Sequence, residues 1–265
     1  MHPENTRYGK RCGITCHYYD SLPSTNVTAF ELAQNGGVHG EVISAAVQTA
    51  GRGRLGKSWQ SPSGRGLYFS IIVRPKMAPQ QYPYLTMTTG LALATAIEKL
   101  CGIPVALKWP NDIYISGKKC GGILAEAALS GSNAADYFAI IGVGLNIVTR
   151  EDEFPRYLRA FATSLHLETG KWYDLEEVFC VLHAGILHHI NELQCYGFNR
   201  ILEKWKRHDC LKGKWLNWVT SDGEVIHAQS QGPDERGRLV VRDGSGRVHT
   251  VISGDVRVAD RQKGF

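Results

Sequence analysis

The segment from Gly51 to Gly66 restricts the possible folds of this chain more than any other part of its sequence. Its first half, GRGRLGKS (51–58), matches the phosphate-loop pattern G-x-x-x-x-G-K-S. In a phosphate loop the lysine opens a long helix, and the N-terminal amides of that helix hold phosphate groups. Here Pro62, Gly64 and Gly66 follow, and all three oppose a continuing helix. The sequence therefore predicts a loop between two strands, and a P-loop nucleoside triphosphatase is kept only as an alternative.

Strand-like and helical segments alternate in the first half of the chain. A short helix is expected from the cap sequence Ser24-Thr25-Asn26 to the Gly36-Gly37 pair, and a longer one over residues 84–100. Alternating or β-branched runs predict strands over residues 41–47, 67–73, 105–109, 112–115, 120–126 and 137–143. Their short connections favour a mixed, meandering sheet over a doubly wound one.

The remainder of the chain divides into helices and a small barrel. Asp174 caps the clearest helix, and a second helix is expected over residues 199–206. After Asp209, short alternating segments and glycine-containing turns indicate a small β-barrel. We therefore predict an α+β fold in three parts: an N-terminal extension (1–17), a large domain (18–208) and a barrel (209–262).

Composition and the N-terminus indicate an intracellular, cytoplasmic protein. No apolar run approaches the about 20 residues that cross a bilayer, so no membrane association is expected. The first 20 residues lack the apolar core of a signal peptide. Thirty Lys and Arg against 25 Asp and Glu give a net charge of +5, which by itself is too small to indicate nucleic-acid binding.

The seven cysteines show no framework spacing, which favours reduced thiols over disulfides. Several lie inside apolar stretches, namely Cys101, Cys120 and Cys180. Cys12, Cys16 and His17 form the one cluster that could suggest zinc. A closed structural site needs four ligands, and the sequence offers no second ligand pair, so zinc is the less favoured alternative.

Arginines alternate with glycines in the loop at residues 51–56. Glycine lets the backbone approach a ligand closely, and the guanidinium groups of Arg52 and Arg54 can each grip carboxylate or phosphate oxygens with two hydrogen bonds. This favours an anion-binding loop. The alternative is a basic loop that only faces solvent.

Four segments of the chain have to be weighed together. In order they are Ser24-Thr25-Asn26, QTAGRGRLGKSW (48–59), KWPND (108–112) with GKKCGGILAE (117–126), and IGVGLNI (141–147). Their content, order and spacing resemble the biotin protein ligases, including the catalytic part of the bifunctional biotin repressor. The resemblance is strongest from Tyr18 to Val148. It implies a class II synthetase-like α+β domain of the biotin/lipoate ligase type, followed by an SH3-like barrel.

The resemblance also implies a reaction in two steps. Biotin and MgATP give biotinyl-5′-AMP and pyrophosphate, and a lysine of a biotin carboxyl carrier protein domain then attacks the mixed anhydride. ATP, Mg²⁺ and biotin are thus the expected small molecules, and Mg²⁺ is expected to enter with ATP rather than on protein ligands. The first step brings two anions together, so cations are needed to offset their charge.

The roles of individual residues follow from their match to the family's motifs. Biotin binding is expected from Ser24, Thr25, Asn26, Gln48, Arg52, Gly53, Arg54, Lys119, Gly121 and Gly122. Catalysis is expected from Arg52, Lys108, Asp112 and Lys119. ATP binding is expected from Arg54, Trp59, Lys108, Asn111 and Asn146.

Simpler interpretations stand beside these roles. Ser24-Thr25-Asn26 could be only a helix cap, Pro110-Asn111-Asp112 only a turn, and Gly142-x-Gly144 only a bulge. A lipoate-type ligase is a competing function. A DNA-binding repressor is another, but about 17 residues before Tyr18 are too few for a helix-turn-helix, so no sequence-specific DNA binding is expected. The sequence leaves monomer and homodimer open.

Overall fold

The computed structural model describes residues 10–129, 137–219 and 224–251. Seven strands form the main sheet, in the order β1-β2-β3-β7-β6-β5-β4. They are β1 (Cys16–Leu22), β2 (Val42–Gln48), β3 (Gly66–Val73), β4 (Ala106–Lys108), β5 (Asp112–Ile115), β6 (Lys118–Leu129) and β7 (Tyr137–Asn146). Only β1 and β2 pair in parallel, and the other neighbours are antiparallel. The predicted mixed, meandering sheet is thus confirmed.

Helices cover both faces of this sheet, but unequally. On one face pack α2 (Tyr84–Cys101), α4 (Leu175–Tyr196) and α5 (Phe198–Lys206), which form the main hydrophobic core with the sheet. On the other face α1 (Thr25–Gln34) covers a smaller apolar cluster through Ala29 and Ala33. The remaining part of this second face carries polar groups and glycines.

Alternation along the strands assigns each residue to one of these faces. In β7, Ile141, Val143 and Leu145 belong to the main core, so Gly142 and Gly144 face the side of α1. Every residue of β3 is buried, because that strand lies in the middle of a sheet with both faces covered. This explains why its sequence, GLYFSIIV, reads as a continuous apolar run rather than an alternating one.

The C-terminal segment forms a separate antiparallel sheet. Its strands are β8 (Trp215–Val219), β9 (Val225–Pro233), β10 (Leu239–Asp243) and β11 (Val248–Val251), in the order β11-β10-β9-β8. The Trp218 side chain is fully buried in this unit, and its Nε1 donates to the Ala228 carbonyl over 2.7 Å. The sheet fits the predicted small SH3-like domain. The end of the predicted barrel, from residue 252 to residue 262, lies outside the described residues.

The sequence prediction missed two elements. β1 begins at Cys16, inside the predicted extension, and α3 (Leu165–Thr169) was not expected. β1 is an edge strand with the sequence CHYYDSL, which has no clear alternation of apolar and polar residues. This segment is a strand because it pairs with β2, which follows α1 in the sequence, and its local sequence does not predict that pairing.

The prediction of reduced thiols is wrong for one pair. Cys12 and Cys180 form a disulfide that joins the segment before β1 to α4, with their Cα atoms 5.9 Å apart. The two cysteines are 168 residues apart in sequence, so no local spacing could reveal the pair. The zinc alternative also fails at this cluster, because Cys16 is buried and His17 Nε2 instead lies 2.6 Å from Glu41 Oε1.

Within residues 10–129, 137–219 and 224–251, none of the helices has the length and apolar character needed to cross a bilayer. No group of three or more His, Cys, Asp or Glu side chains with metal-binding geometry occurs in the same ranges.

Candidate functional site

A cavity of about 330 Å³ lies on the sheet face that α1 leaves partly uncovered. Its volume falls in the range of small-molecule sites. The start of α1, the glycine-rich loop, β4 to β6 and β7 all contribute to its wall. The predicted site residues that line it are Ser24, Thr25, Asn26, Gln48, Arg52, Gly53, Arg54, Trp59, Lys108, Asn111, Asp112, Lys119 and Gly122.

The floor of the cavity consists of glycines on adjacent strands. Gly122 of β6 pairs with Gly144 of β7, and the Trp59 indole lies directly against both. A Cβ atom at Gly144 would come within 2.5 Å of Trp59 Cε2. Gly142 leaves room for the amide of Asn26 in the same way. Pairing of β7 with β3 and β6 is regular here, so the interpretation of Gly142-x-Gly144 as a bulge is wrong.

One end of the cavity is a network of neutral polar groups. The Thr25 backbone N–H and hydroxyl both donate to Gln48 Oε1, over 2.8 and 3.1 Å. Ser70 Oγ of β3 lies 2.6 Å from Asn26 Oδ1 and 2.8 Å from Thr25 Oγ1. Ser24 occupies the cap position of α1, but its side chain makes no cap hydrogen bond. The interpretation of this segment as only a helix cap is therefore wrong, because Thr25 and Asn26 belong to the polar network.

The opposite end carries positive charge. Lys119 Nζ lies 2.7 Å from Asp112 Oδ1 and 5.7 Å from the centre of the Trp59 ring. Lys108 Nζ lies 3.5 Å from the Tyr114 hydroxyl. Alternation places Lys108 and Asp112 on the cavity side, because Leu107 and Ile113 point into the core.

Burial changes the acid–base properties of two groups at this end. Desolvation lowers the pKa of the Arg54 guanidinium from its ordinary value, and the neighbouring Asp112 carboxylate opposes that change. Burial raises the pKa of the Tyr114 hydroxyl to about 12, with a further contribution from Asp112. Tyr114 thus stays a neutral hydrogen-bonding group at physiological pH.

The glycine-rich loop folds back on itself as a hairpin. Arg52 pairs with Ser58, and the Gly53 N–H donates to the Lys57 carbonyl over 2.6 Å. A single 3₁₀ turn covers Arg54–Gly56. No helix follows Lys57, and the chain enters β3 at Gly66. The phosphate-loop alternative therefore lacks the helix that its chemistry requires.

Two predicted ligand residues do not line the cavity. Gly121 lies beside Leu145 and Ile113 on the core face of β6, because adjacent residues of a strand face opposite ways. Asn146 is buried, and its Nδ2 donates to the Thr163 carbonyl over 3.0 Å. In this arrangement Asn146 positions the segment after β7 rather than a ligand.

The sequence prediction also missed several residues of the site. Ser70, Tyr114, Leu124 and Glu126 belong to it or border it. Ser70, Tyr114 and Leu124 each stand next to a core residue on their strand, and this alternation could have identified them. A fifth contact comes from the barrel, where the Gly237 carbonyl accepts a hydrogen bond from Trp109 Nε1 over 2.9 Å.

The sequence and the fold of this chain are similar to those of known proteins. Residues 18–146 match the model of the biotin/lipoate A/B protein ligase family. The bifunctional ligase/repressor BirA of Bacillus subtilis is 33% identical over 249 residues, which cover 91% of this chain and 73% of that protein. The biotin–[acetyl-CoA-carboxylase] ligase of Paracoccus denitrificans is 32% identical over 230 residues, which cover 84% of this chain and 92% of that protein. A solved biotin protein ligase from Aquifex aeolicus, in complex with biotin and ATP, superposes with a TM-score of 0.76 at 30% identity, covering 91% of this chain and 96% of that one.

Proposed function

The chain belongs to the biotin/lipoate A/B protein ligase family, and on that basis we propose that it is an ATP-dependent biotin protein ligase. It forms biotinyl-5′-AMP from biotin and ATP and passes biotin to a lysine of an acceptor protein. The finer proposal is that the acceptor is a biotin carboxyl carrier protein domain.

The arrangement of the cavity is the observation that supports this function best. A neutral polar network at one end, formed around Thr25, Gln48 and Ser70, suits the ureido group of biotin, which needs both donors and acceptors. A floor of glycines and an indole suits the apolar, sulfur-containing ring and the aliphatic chain. Lys119 and Arg54 at the other end suit the carboxylate and the α-phosphate.

Trp59 provides a separate sign that the cavity is built for a ligand. Its Nε1 is buried and makes no hydrogen bond within the described part of the chain. A buried donor left unpaired costs about 1–3 kcal/mol, so a ligand acceptor here would gain a favourable contact. Because Trp59 lies between the glycine floor and Lys119, that acceptor would belong to the middle of the biotinyl-adenylate.

Charge neutralisation accounts for the chemical step. The biotin carboxylate attacks the α-phosphorus of ATP, the bond from that phosphorus to the bridging oxygen breaks, and pyrophosphate leaves. Lys119 and Arg54 would offset the negative charge that builds up on the phosphoryl oxygens. Lys108 and Asn111 border the same end and would contact the nucleotide. Mg²⁺ fits as an ion carried by the phosphates, with Asp112 as the nearby carboxylate.

Biotin-dependent exchange of pyrophosphate into ATP tests the first step directly. We expect exchange with biotin and none with lipoate or with no acid added. Transfer of labelled biotin to a purified carrier domain tests the second step. Hydrolysis of ATP that is independent of biotin, or exchange that responds to lipoate alone, would contradict the proposal. Sequence-specific DNA binding is expected to be absent, and this stays a prediction, as does the cytoplasmic location.

A further inference from the structure

Glu126 lies beside the cavity, next to the glycine-rich loop, and is not among the residues that line the cavity itself. It is on β6, two residues beyond Leu124 on the strand face that carries Gly122. Its two carboxylate oxygens have different partners. Oε1 accepts a hydrogen bond from Arg52 Nη2 over 2.9 Å, and Oε2 accepts one from Asn26 Nδ2 over 2.7 Å.

These partners belong to the two parts of the site that must act together. Arg52 is on the glycine-rich loop, and Asn26 is on the first turn of α1 within the polar network. The two are 26 residues apart in sequence and come from different elements. A single carboxylate thus joins the loop to the network.

Glu126 also determines which way the Asn26 amide points. One end of that amide faces Glu126 Oε2 and the Leu124 carbonyl, which lies 3.2 Å away. Both groups only accept hydrogen bonds, so the Asn26 nitrogen must face them. The amide oxygen is then left toward Ser70 Oγ at 2.6 Å. Without Glu126, the Asn26 amide nitrogen would keep only its hydrogen bond to the Leu124 carbonyl.

We propose that Glu126 is a positioning residue for the biotin-activating reaction: it anchors the Arg52 loop and orients Asn26, so that the cavity is formed before biotin enters. Glu126 itself touches neither reacting atom. This inference rests on the proposed function and deepens it by naming a residue that sets the affinity for biotin. Loss of Glu126 should therefore raise the KM for biotin more than it lowers kcat, because a site that is already ordered loses less conformational entropy when biotin binds.

The variants Glu126→Gln and Glu126→Ala separate charge from shape. Glutamine keeps the shape, but its amide nitrogen cannot accept from Arg52 or Asn26, so one of the two contacts is lost. A hydrogen bond to a charged group is worth enough to change binding about tenfold. We expect the KM for biotin to rise about tenfold in Glu126→Ala and less in Glu126→Gln, with kcat within about threefold of the parent.

A double-mutant cycle tests whether Glu126 acts through Arg52. In an Arg52→Ala background, Glu126→Ala should raise the KM for biotin by much less than it does alone, because the shared contact is already lost. Additive effects of the two substitutions would overturn the anchoring. An unchanged KM for biotin in Glu126→Ala would overturn it as well.

Trypsin cleavage at Arg54 and Lys57 without biotin gives a readout that needs no activity. It should be several-fold faster in Glu126→Ala than in the parent, since local opening exposes the loop. Glu203→Ala is the matched control, because Glu203 pairs with Lys206 on the exposed side of α5. If Glu126→Ala does not fold, Glu126→Gln carries both measurements. If the parent shows no biotin-dependent exchange, the proposed function fails, and the cleavage rates still decide whether Glu126 anchors the loop.

Discussion

Lys119 Nζ and Asp112 Oδ1 lie 2.7 Å apart across two paired strands, at the charged end of the cavity. The carboxylate holds the ammonium group over the glycine floor without burying it, since the Lys119 side chain keeps 34% of its exposure. A lysine held in this way can exchange one anionic partner for another. The effect expected of a substitution at Lys119 follows from this exchange.

Lys119→Ala should lower the rate of biotinyl-AMP formation by about 10²–10³, because one charge-assisted contact to the reacting oxygens is lost. The fold should persist, since Lys119 is only half-buried. Rapid-quench measurement of adenylate formation checks the rate. Lys118→Ala is the control, because its side chain does not line the cavity. A rate for Lys119→Ala within threefold of the parent would refute the role.

Gly144→Ala should impair binding of biotin or ATP. The new Cβ would come within 2.5 Å of the Trp59 ring, so the indole must move away from the floor. The expected loss of stability is about 1–3 kcal/mol, as for other overpacked positions. Calorimetric titration with biotin and a thermal melt check both effects.

Gly185→Ala provides the contrast. This glycine is in α4, and its nearest neighbours would be 3.7 Å from an added Cβ, which is ordinary contact. Alanine in a helix is favoured over glycine by about 0.8–1 kcal/mol, so this variant should be at least as stable as the parent. If Gly144→Ala and Gly185→Ala bind biotin equally well and melt at the same temperature, the glycine floor is not required.

The loop from Gly51 to Gly66 should become protected when biotin or its adenylate binds. The Glu126 contact holds the loop before biotin enters, and Arg52 and Arg54 would add contacts to a bound anion, so that the loop opens less often. Limited trypsin digestion at Arg52, Arg54 and Lys57 checks this, with the exposed Lys212 and Lys214 as internal reference sites. If biotin slows cleavage equally at the loop and at the reference sites, the protection is not due to loop closure.

Trp109→Phe should weaken the connection between the barrel and the site. The substitution removes the Nε1–H that donates to Gly237, a contact worth about 0.5–1.5 kcal/mol, and keeps most of the buried ring. We expect a lower Tm and a lower rate of adenylate formation. Trp215→Phe is the control, since Trp215 is exposed in β8. A loss in both variants alike would point to general destabilisation.

Acid should destabilise the fold through two buried histidines of α4. Burial lowers the pKa of His183 and of His189 below the ordinary value of 6.5. As the pH falls below about 6.5, these histidines are protonated in the unfolded chain before they are protonated in the folded one. The free energy of unfolding therefore decreases as the pH falls, until the pH reaches the folded-state pKa. Urea unfolding at several pH values measures this slope. His183→Gln should flatten it, because glutamine does not titrate, and an unchanged slope would contradict the assignment.

Much of the fold could be predicted from local pattern. The helix at Tyr84–Cys101 and the strands flanking the glycine-rich loop follow from periodicity and from Pro62 and Gly64. The contents of the cavity could be predicted from the resemblance to the biotin protein ligases, because the matching motifs contain Lys108, Asp112 and Lys119. The Cys12–Cys180 disulfide and the contact between Trp109 and Gly237 could not, because each joins positions far apart in sequence.

Alternation along the strands explains the finer errors. Gly121 was assigned to the ligand together with Gly122, yet neighbours on a strand face opposite ways, and only Gly122 reaches the cavity. Glu126 ends the GKKCGGILAE segment, but it was given no role because its partners cannot be deduced from that segment. Its value lies in two partners, Asn26 and Arg52, that only the folded sheet brings to it.

The division of β7 between a packed face and a glycine face has a consequence for how variants of this protein would fail. In a scan of every substitution along Tyr137–Asn146, changes at Ile141, Val143 and Leu145 should reduce the amount of protein that cells accumulate. Changes at Gly142 and Gly144 should reduce activity more than they reduce abundance, because an added side chain displaces Asn26 or Trp59 in the cavity. From Ile141 to Leu145 the two kinds of damage would alternate residue by residue, so abundance and activity measured side by side would map that part of the strand without a structure.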